Sequence, residues 1–475
     1  MFWVSIIFGR QDGPYLDETV SNQEVSLLMQ IDRSIFKAYD IRGIYPKQLD
    51  EEIAYRIARA YAQFMKPKLV VLGYDMRVSG PSIAEHVVRG LIDQGSDVIQ
   101  IGLASTPMYY YAMNALKGDA GMMITASHNP PEYSGFKLTG PGAIPSISYI
   151  SNEDLYDLVA EGNFEDPEKP GTDRGIVNVL DGYIDAVLQA SGVKDFGNLK
   201  VVIDGGNGMA GMILPKLFEG KNCTVYPLYW EVDGTFPNHE ANPLNDETLN
   251  DLKRKVLEVG ADIGIAYDGD ADRVGFVDEK GQTVPGDIIT ALIAREMLKD
   301  KPGSTILYDL RSSWAVKEEV DKAGGTPMMS KVGHGLIKRS MRETGAYFAG
   351  ELSSHYYFAN FFVTDNGDLA MLKILQLLVD EHESFSELAK PVMRYFHSPE
   401  INSKVPNVQE KLSMIKTKYG DGTMIELDGL TVEYPDWWFN VRASQTEPLL
   451  RLNVEAKTQE MMDQKVDELL ALIRS

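Results

Sequence analysis

The chain has 475 residues, 44% hydrophobic and 24% charged, which suits about three globular domains. Its 69 acidic and 46 basic residues give a net charge of −23, which excludes a general affinity for nucleic acid or anionic membranes. The single cysteine excludes an intramolecular disulfide, and we expect a cytoplasmic protein from a reducing compartment.

The first segment, residues 1–28, contains a short apolar run that lacks a basic start and is too short to span a membrane. We interpret this segment as a weakly ordered extension. Organised structure is predicted to begin near Met29.

From residue 49 onward, helix and strand patterns alternate along the chain. The first round predicts helices over 51–65, 80–94 and 106–116 and strands over 68–73, 97–103 and 120–125. The second predicts strands over 199–203, 223–228 and 262–266, with a helix over 247–259. The third predicts strands over 305–308, 327–329 and 346–349, with helices over 314–322 and 335–343. Short apolar strands separated by helices are typical of a buried, mostly parallel sheet.

Each round ends in the same way, with a small residue, a short apolar strand and a polar loop. The three endings read GDAGMMITASHNP, GADIGIAYDGDADR and TGAYFAGELSSHYY. This weak internal similarity predicts three related domains whose loops project from the carboxyl ends of strands, where open α/β sheets bind ligands.

The C-terminal part has a different pattern. It predicts strands over 402–405 and 450–455, a hairpin that reaches residue 441, and helices over 409–418 and 460–473. We predict a smaller α+β domain after a linker that follows Leu388. The predicted divisions are an extension (1–28), three α/β domains (29–175, 176–284 and 285–392) and a C-terminal domain (393–475).

The segment Asp268-Gly-Asp-Ala-Asp-Arg273 is the strongest single signal. Three carboxylates at alternate positions after a strand can converge on one hard cation such as Mg²⁺. A calcium EF-hand loop has similar spacing but needs glycine where Arg273 stands, and it needs helices where strands are predicted. A solvated acidic turn is the alternative. We favour a metal site, because aspartates directly after a buried strand are costly without a cation.

The segment Thr125-Ala-Ser-His-Asn-Pro130 places Ser127 beside His128 at the end of a predicted strand. A hydrolase nucleophile elbow needs glycines around its serine, and there are none here. A neighbouring histidine is also poorly placed to act as the base of a triad. Local reasoning therefore favours a helix cap or a loop serine.

Three further motifs are ambiguous when taken singly. Gly206-Asn-Gly-Met-Ala-Gly211, with Glu231 further on, fits a dinucleotide fingerprint or a tight turn between strand and helix. Arg442-Ala-Ser-Gln-Thr-Glu-Pro448 fits a phosphate cradle or a polar hairpin turn. Gly350-Glu-Leu-Ser-Ser-His355 fits a structural loop or a sugar-binding loop with His355 beside a phosphate.

Together and in this order, four of these motifs resemble the signature loops of the α-D-phosphohexomutases. They are Thr125–Pro130, Asp268–Arg273, Gly350–Ser353 and Arg442–Pro448. Phe36-Lys-Ala-Tyr-Asp-Ile-Arg-Gly43 is similar to the start of the bacterial phosphomannomutase/phosphoglucomutase branch. The resemblance implies an α/β fold of three related mixed α/β sheet domains plus a C-terminal α+β domain around a central cleft.

The resemblance also implies a role for each matching residue. Ser127 carries a phosphoryl group and, with Asp268, Asp270 and Asp272, holds one Mg²⁺ per chain. Lys137 and His355 are acid/base candidates, Arg273 lies near the phosphoserine, and His128 shapes its loop. Glu351 and Ser353 contact sugar hydroxyls, whereas Arg442, Ser444, Gln445 and Thr446 hold the nonreacting phosphate. The residues implied to line the cleft are Tyr39, Arg42, Arg311 and His334.

The implied activity is the reversible conversion of hexose 1-phosphate and hexose 6-phosphate, with mannose or glucose as the sugar. It proceeds through a phosphoserine enzyme and a hexose 1,6-bisphosphate, which also serves as activator. Phosphoglucosamine mutase and a non-catalytic phosphosugar-binding paralogue are the alternatives, and a serine hydrolase and a dehydrogenase rank below them. We expect a phosphorylated hexose as ligand, no nucleic-acid or membrane partner, and a monomer or homodimer.

Overall fold

The computed structural model describes residues 31–443 and 449–475. Within these ranges, no helix is both long enough and apolar enough to cross a membrane. The described chain forms four sheets that follow one another in sequence. The predicted extension over residues 1–28 lies outside the described residues.

The first sheet has six strands in the spatial order β1-β5-β4-β2-β3-β6. The strands are β1 (Ile41–Ile44), β2 (Leu69–Tyr74), β3 (Asp97–Leu103), β4 (Ala120–Ile124), β5 (Tyr133–Thr139) and β6 (Asp173–Ile176). The helices are α1 (Glu51–Met65), α2 (Gly80–Asp93), α3 (Thr106–Ala115) and α4 (Asn152–Glu161). Strands β4, β2, β3 and β6 run parallel, and β5 is antiparallel to both β4 and β1.

Helix α1 illustrates how the sequence specifies this unit. The Asp50 side chain accepts a hydrogen bond from the Ile53 N–H and so caps the helix start. Ile53, Ile57 and Tyr61 recur at a spacing of four residues and are all buried in the core. The helix therefore has one apolar face, which packs onto α2 and α4 and shares a core with residues of the sheet.

The second sheet has the order β11-β10-β9-β7-β8. The strands are β7 (Lys200–Asp204), β8 (Thr224–Leu228), β9 (Ile263–Tyr267), β10 (Val274–Asp278) and β11 (Thr283–Val284). The helices are α5 (Leu180–Ser191), α6 (Ala210–Leu217) and α7 (Asn250–Val259). Strands β9, β7 and β8 run parallel, whereas β10 is antiparallel to both β9 and β11.

The third sheet has the order β13-β12-β14-β15-β16. The strands are β12 (Thr305–Asp309), β13 (Thr326–Ser330), β14 (Phe348–Gly350), β15 (Tyr356–Phe358) and β16 (Thr364–Asp365). The helices are α8 (Gly286–Asp300), α9 (Trp314–Lys322), α10 (His334–Thr344), α11 (Gly367–Glu381) and α12 (Phe385–Ala389). Strands β13, β12 and β14 run parallel, and β15 is antiparallel to β14.

The three sheets share one arrangement. In each of them a parallel strand turns back through a polar loop into an antiparallel neighbour, at the β4–β5, β9–β10 and β14–β15 connections. These connections contain the three loops that the sequence pattern predicts. Strands β5 and β15 were not predicted, because glycine, serine and lysine interrupt the apolar pattern of β5 and β15 has only three residues.

The fourth sheet is wholly antiparallel, in the order β17-β22-β21-β20-β19 with β18 also paired to β22. Its strands are β17 (Phe396–His397), β18 (Ile401–Lys404), β19 (Thr423–Ile425), β20 (Leu430–Glu433), β21 (Trp437–Ala443) and β22 (Leu449–Ala456). Its helices are α13 (Val408–Lys418) and α14 (Gln459–Arg474). The predicted fold class, three related mixed sheets followed by an α+β unit, is confirmed.

Apolar packing separates this last unit from the others. Val432, Phe439 and Leu452 belong to a core that α13 and α14 close, whereas residues of the first three units share one continuous core. The described contacts between the third and fourth units include polar pairs, such as the bond from Trp314 Nε1 to Glu433 at 3.2 Å.

Candidate active site

Ser127 follows β4 and is buried in the loop that leads to β5. Its φ of +53° is unusual for a residue with a side chain, and its N–H donates to Thr125 Oγ1 at 2.9 Å. This turn directs Oγ toward the next sheet, where it donates to Asp268 Oδ2 at 2.7 Å. The serine itself thus occupies the strained position of a sharp turn, with no glycine beside it.

A fully buried arginine that sequence reasoning missed holds this loop in shape. Arg77 donates four hydrogen bonds, to the backbone carbonyls of Ser127, Asn129, Pro130 and Tyr133. Asp75 Oδ2 lies 3.3 Å from its Nε and balances its charge. The available signal was a polar Asp-Met-Arg run directly after the apolar strand β2.

The three predicted metal ligands converge directly after β9. Asp268, Asp270 and Asp272 are all fully buried, and one oxygen from each lies within 4.8 Å of the others. Oδ1 of Asp270 and of Asp272 have no hydrogen-bond partner in the described structure. Unpartnered, buried carboxylate oxygens beside a serine hydroxyl are a donor set that fits a hard divalent cation.

Burial and the close spacing of charged groups shift the pKa values of the aspartates in this loop. Burial and the charges of Asp272 and Asp270 raise the pKa of Asp268 well above its ordinary value. Burial also acts to raise the pKa of Asp272, but Lys137 and His355 outweigh it and hold that pKa well below its ordinary value. The carboxyls of one loop thus differ in how readily they take up a proton.

Lys137 extends from β5 into the same site and is almost completely buried. Its Nζ donates to Asp270 Oδ2 at 2.7 Å and also to Asp272 Oδ2. Burial acts to lower the pKa of Lys137, but Asp270 and Asp272 raise it above its ordinary value. The amine therefore remains an ammonium ion that partly neutralises the acidic loop.

The glycines of the Gly206–Gly211 motif pack against protein backbone. A Cβ at Gly208 would lie 2.7 Å from Gly269 O, and one at Gly211 would lie 1.9 Å from Trp230 O. The Met209 N–H donates to Gly269 O at 2.8 Å, which fixes the metal loop to the start of α6. This explains the pattern as a tight turn and leaves the dinucleotide hypothesis without structural support.

The third loop brings Glu351, Ser353 and His355 together at the end of β14. Glu351 Oε1 accepts the Gly333 N–H at 3.0 Å, and its Oε2 accepts the Tyr357 hydroxyl at 2.5 Å. Ser353 Oγ lies 3.1 Å from His355 Nδ1. Burial acts to raise the pKa of Glu351, but His355 and Arg311 lower it to about 2, so this carboxylate stays ionised.

His355 links this loop to the metal loop. Its Nδ1 lies 3.1 Å from Glu351 Oε2, and its Nε2 lies 3.5 Å from Asp272 Oδ1. Burial and Arg273 act to lower the pKa of His355, but Asp272 and Glu351 raise it to about 9. Arg273 Nε lies 3.1 Å from the same Nε2 and can donate only when that nitrogen has no proton. Asp272 therefore favours a proton on Nε2, whereas Arg273 favours an unprotonated Nε2, so both states of this nitrogen have a neighbour that stabilises them.

His128 and Arg42 flank the serine. His128 Nδ1 lies 3.3 Å from Ser127 Oγ, and Arg273, burial and Arg42 lower the pKa of His128 far below its ordinary value, which keeps the ring neutral. Arg42 donates to Asp40 Oδ2 at 2.8 Å and to Asn129 Oδ1 at 2.6 Å.

Tyr39 and His334 join the first and third units. Tyr39 Oη donates to Val332 O at 3.1 Å, and its ring meets the His334 ring edge-on at 5.8 Å. The His334 ring also stacks on His355 at 6.2 Å. Both ring nitrogens of His334 are buried and have no hydrogen-bond partner among the described residues, which leaves them available to a ligand.

Two arginines predicted to contact substrate lie at the junction of the third and fourth units. Arg311 Nη2 donates to Asp309 Oδ2 at 2.7 Å, and the same oxygen accepts the Leu352 N–H at 2.8 Å. Arg442 Nη2 donates to Glu400 Oε2 at 2.6 Å. The predicted partners of Arg442, namely Ser444, Gln445 and Thr446, lie outside the described residues.

The structure therefore brings most of the predicted side chains into one connected set. Direct contacts link Ser127, His128, Lys137, the three aspartates, Arg273, His355, Glu351 and Ser353. Arg311 and Arg442 join through Glu400, and no hydrogen bond or ion pair within the described ranges joins Arg442 to the serine loop.

Comparison with known families gives four consecutive matches. Residues 33–165, 181–281 and 285–396 match phosphoglucomutase/phosphomannomutase alpha/beta/alpha domains I, II and III, and residues 400–472 match the C-terminal domain.

Individual proteins and a solved structure agree with these matches. A phosphomannomutase of Salmonella montevideo is 38% identical over 93% of this chain and 99% of its own length. A phosphomannomutase/phosphoglucomutase of Pseudomonas aeruginosa is also 38% identical, over 90% of this chain and 93% of its own. The crystal structure of a phosphoglucomutase/phosphomannomutase family protein from Burkholderia thailandensis is 33% identical, superposes with a TM-score of 0.86, and covers 94% of this chain and 98% of its own.

Proposed function

The chain belongs to the phosphoglucomutase/phosphomannomutase family and is a phosphotransferase isomerase, and we propose that it interconverts the 1- and 6-phosphates of mannose and glucose through phospho-Ser127. One observation carries this proposal. Ser127 Oγ lies 2.7 Å from Asp268 in a buried site that three aspartates and Lys137 share.

The acidic loop supports the assignment of one Mg²⁺ per chain. Ser127, Asp268, Asp270 and Asp272 would hold the ion, since all supply oxygen and two of the carboxylate oxygens accept no hydrogen bond from the described residues. When bound, the cation supplies charge neutralisation for phosphoryl transfer. Hexose 1,6-bisphosphate would act as the activator that phosphorylates Ser127.

The residues around Ser127 would neutralise charge and transfer protons during phosphoryl transfer. In the proposed first step, the phosphoryl group leaves Ser127 Oγ for a free hydroxyl of the bound sugar phosphate. Lys137, held as an ammonium ion, neutralises charge on the transferring group and can return a proton to the serine oxygen. His355 is the other acid/base candidate: it would take the proton of the attacking hydroxyl in its neutral form and return one in its protonated form, through Nε2, which lies 3.1 Å from Arg273 Nε and 3.5 Å from Asp272 Oδ1.

The other residues hold and orient the sugar phosphate. Glu351 and Ser353 would bind its hydroxyls, and Arg442 with Ser444, Gln445 and Thr446 would hold the phosphate that is not reacting. Tyr39, Arg42, Arg311 and His334 would line the cleft between these groups. The bisphosphate would turn over in the cleft and return its other phosphate to Ser127, which requires a site that excludes water.

Three other predictions remain proposals. They are the domain divisions at 29–175, 176–284, 285–392 and 393–475, a monomeric or homodimeric state, and a cytoplasmic location. Phosphoglucosamine mutase activity is not favoured by the names of the similar proteins, which specify mannose and glucose.

Phosphorus-31 NMR tests the proposed activity directly. Mannose 1-phosphate and glucose 1-phosphate are each incubated with enzyme, Mg²⁺ and a trace of hexose 1,6-bisphosphate. We expect 6-phosphate signals with the wild type and none with Ser127→Ala. Ser134→Ala is the matched control, because Ser134 is buried in the same hairpin and its hydroxyl has no described partner. Absence of 6-phosphate from both sugars with wild type would contradict the proposal.

A further inference from the structure

Glu400 stands between the third and fourth units and contacts three arginines. Its Oε2 accepts from Arg442 Nη2 at 2.6 Å and lies 3.7 Å from Arg311 Nη1. Its Oε1 accepts from Arg451 Nη1 at 3.2 Å. One carboxylate from the segment between β17 and β18 thus holds guanidinium groups that belong to two separately packed units.

The direct ion pairs around Glu400 contain more arginines than carboxylates within the described ranges. Among the described residues, three guanidinium groups form direct ion pairs with two carboxylates, Glu400 and Asp309, while the ionised Glu351 acts on Arg311 from further away. Burial acts to raise the pKa of Glu400, but Arg442, Arg311 and Arg451 lower it, so the carboxylate stays charged. The Nε atoms of Arg442 and Arg451 are buried and have no hydrogen-bond partner in the described structure. The cluster therefore retains positive charge and free donors that an anion can use.

We propose that Glu400 is a positioning residue that acts through Arg442, orienting its guanidinium and weakening its hold on the nonreacting phosphate. The inference rests on the proposed function, in which Arg442 binds that phosphate and each phosphate of the bisphosphate must leave it in turn. A carboxylate on one edge of the guanidinium repels a phosphate on another edge of the same group. If Arg442 holds the phosphate of the bound substrate too tightly, and this binding does not weaken later in the reaction, turnover is slowed.

The proposal predicts an unusual pair of kinetic changes. Glu400→Gln keeps the shape of the side chain and an oxygen acceptor for Arg442 but removes the charge. We expect the KM for glucose 1-phosphate to fall about fivefold and kcat to fall as well. A residue that only supports the structure would give the opposite change in KM, because a misplaced arginine binds phosphate less well.

Binding of inorganic phosphate, measured by calorimetry on the full chain, gives a test that needs no turnover. We expect the Kd to fall about fivefold in Glu400→Gln and to stay near the wild-type value in Glu400→Asp, which keeps the charge. Glu433→Gln is the matched control, since Glu433 also joins the two units but bonds the Trp314 indole instead of an arginine. Its Kd should not change.

The possible outcomes are distinguishable. An unchanged or weaker phosphate affinity in Glu400→Gln would overturn the role of Glu400. Loss of phosphate binding in Arg442→Gln supports the inference, whereas its persistence contradicts it. If the wild type binds phosphate but converts no hexose phosphate, the proposed function fails. The effect of the Glu400 charge on phosphate binding is then still decided by the calorimetric Kd values of wild type and Glu400→Gln. Glu400→Ala, which admits water to Arg442, replaces the glutamine variant if that variant does not fold.

Discussion

Ser127 and Asp268, which are 141 positions apart in the chain, are joined by a 2.7 Å hydrogen bond between the hydroxyl and the carboxylate. The two residues come from the same kind of connection in two different sheets, the turn from a parallel strand to its antiparallel neighbour. A Cβ at Gly269 would lie 2.6 Å from Ser127 O, so the two loops also touch through backbone. The loop that would carry the phosphoryl group and the loop that would carry the metal are therefore held as one unit.

This contact leads to a prediction about metal and stability. Buried like charges repel each other, so Asp268→Asn should melt at or above the wild-type temperature in a chelating buffer. Mg²⁺ at about 100 times its Kd should stabilise wild type by about 2.7 kcal/mol and the variant much less, while activity is lost. Thermal melts with and without Mg²⁺ measure both effects. Equal Mg²⁺ shifts in the two proteins would remove Asp268 from the metal site.

Lys137 provides a second prediction. Lys137→Ala should lower kcat by about 10²–10⁴-fold, because a positioned proton donor and a positive charge are lost together. The variant should also melt lower than wild type without Mg²⁺, since Asp270 and Asp272 lose their counter-charge. Adding Mg²⁺ should bring the melting temperature of the variant closer to that of wild type, because the ion supplies a counter-charge to the aspartates. Lys373→Ala is the matched control, because Lys373 is a buried lysine paired with Asp300 away from the site, and it should retain kcat.

The Arg77 contacts predict a large effect on the serine loop. Arg77→Met leaves four carbonyls and the buried Asp75 without their partner, and it should destabilise the protein by about 3–5 kcal/mol. Arg77→Lys keeps the positive charge and should lose less stability than Arg77→Met. Arg89→Met, which removes an exposed guanidinium lying over the Tyr55 ring, should cost about 0.5–1 kcal/mol. Chemical denaturation compares the three variants, and similar losses for Arg77→Met and Arg89→Met would contradict the prediction.

Asp368, at the start of α11, predicts a pH dependence. Burial raises its pKa to about 6, although the Tyr183 hydroxyl donates to it at 2.6 Å and acts in the other direction. The unfolded carboxyl has its ordinary pKa of 3.8, so the folded state binds more protons between these two values. Its contribution to stability is therefore most favourable below pH 3.8 and declines as the pH rises through 6.

Asp368→Asn should remove the loss of stability that the Asp368 carboxyl causes as the pH rises through 6. We expect the variant to be more stable than wild type at pH 8, by on the order of 2 kcal/mol, and to gain less at pH 5. Melting curves at the two pH values measure the difference. A gain that is the same at both would show that the carboxyl is not protonated preferentially in the folded state.

Much of the fold and of the candidate site follows from the sequence. Apolar runs after Leu69, Val201 and Ile306 predict buried parallel strands because such strands are covered on both faces. The aspartates at 268, 270 and 272 predict a metal site because their spacing is local and their chemistry is specific. For Ser127, local reasoning pointed to a cap or loop, and only the order of four distant motifs suggested a phosphoryl carrier.

Other features depend on the tertiary structure. Lys137 and Asp270 are 133 positions apart, and Arg442 and Glu400 belong to a strand and to a connecting segment that no local pattern relates. The same is true of Arg77, whose four acceptors are carbonyls that any sequence would supply. Periodicity and spacing record which side chains are buried and which chemistry is present. The partner of each buried charge is decided by how the sheets pack, because contacts between distant segments leave no repeating pattern in the chain.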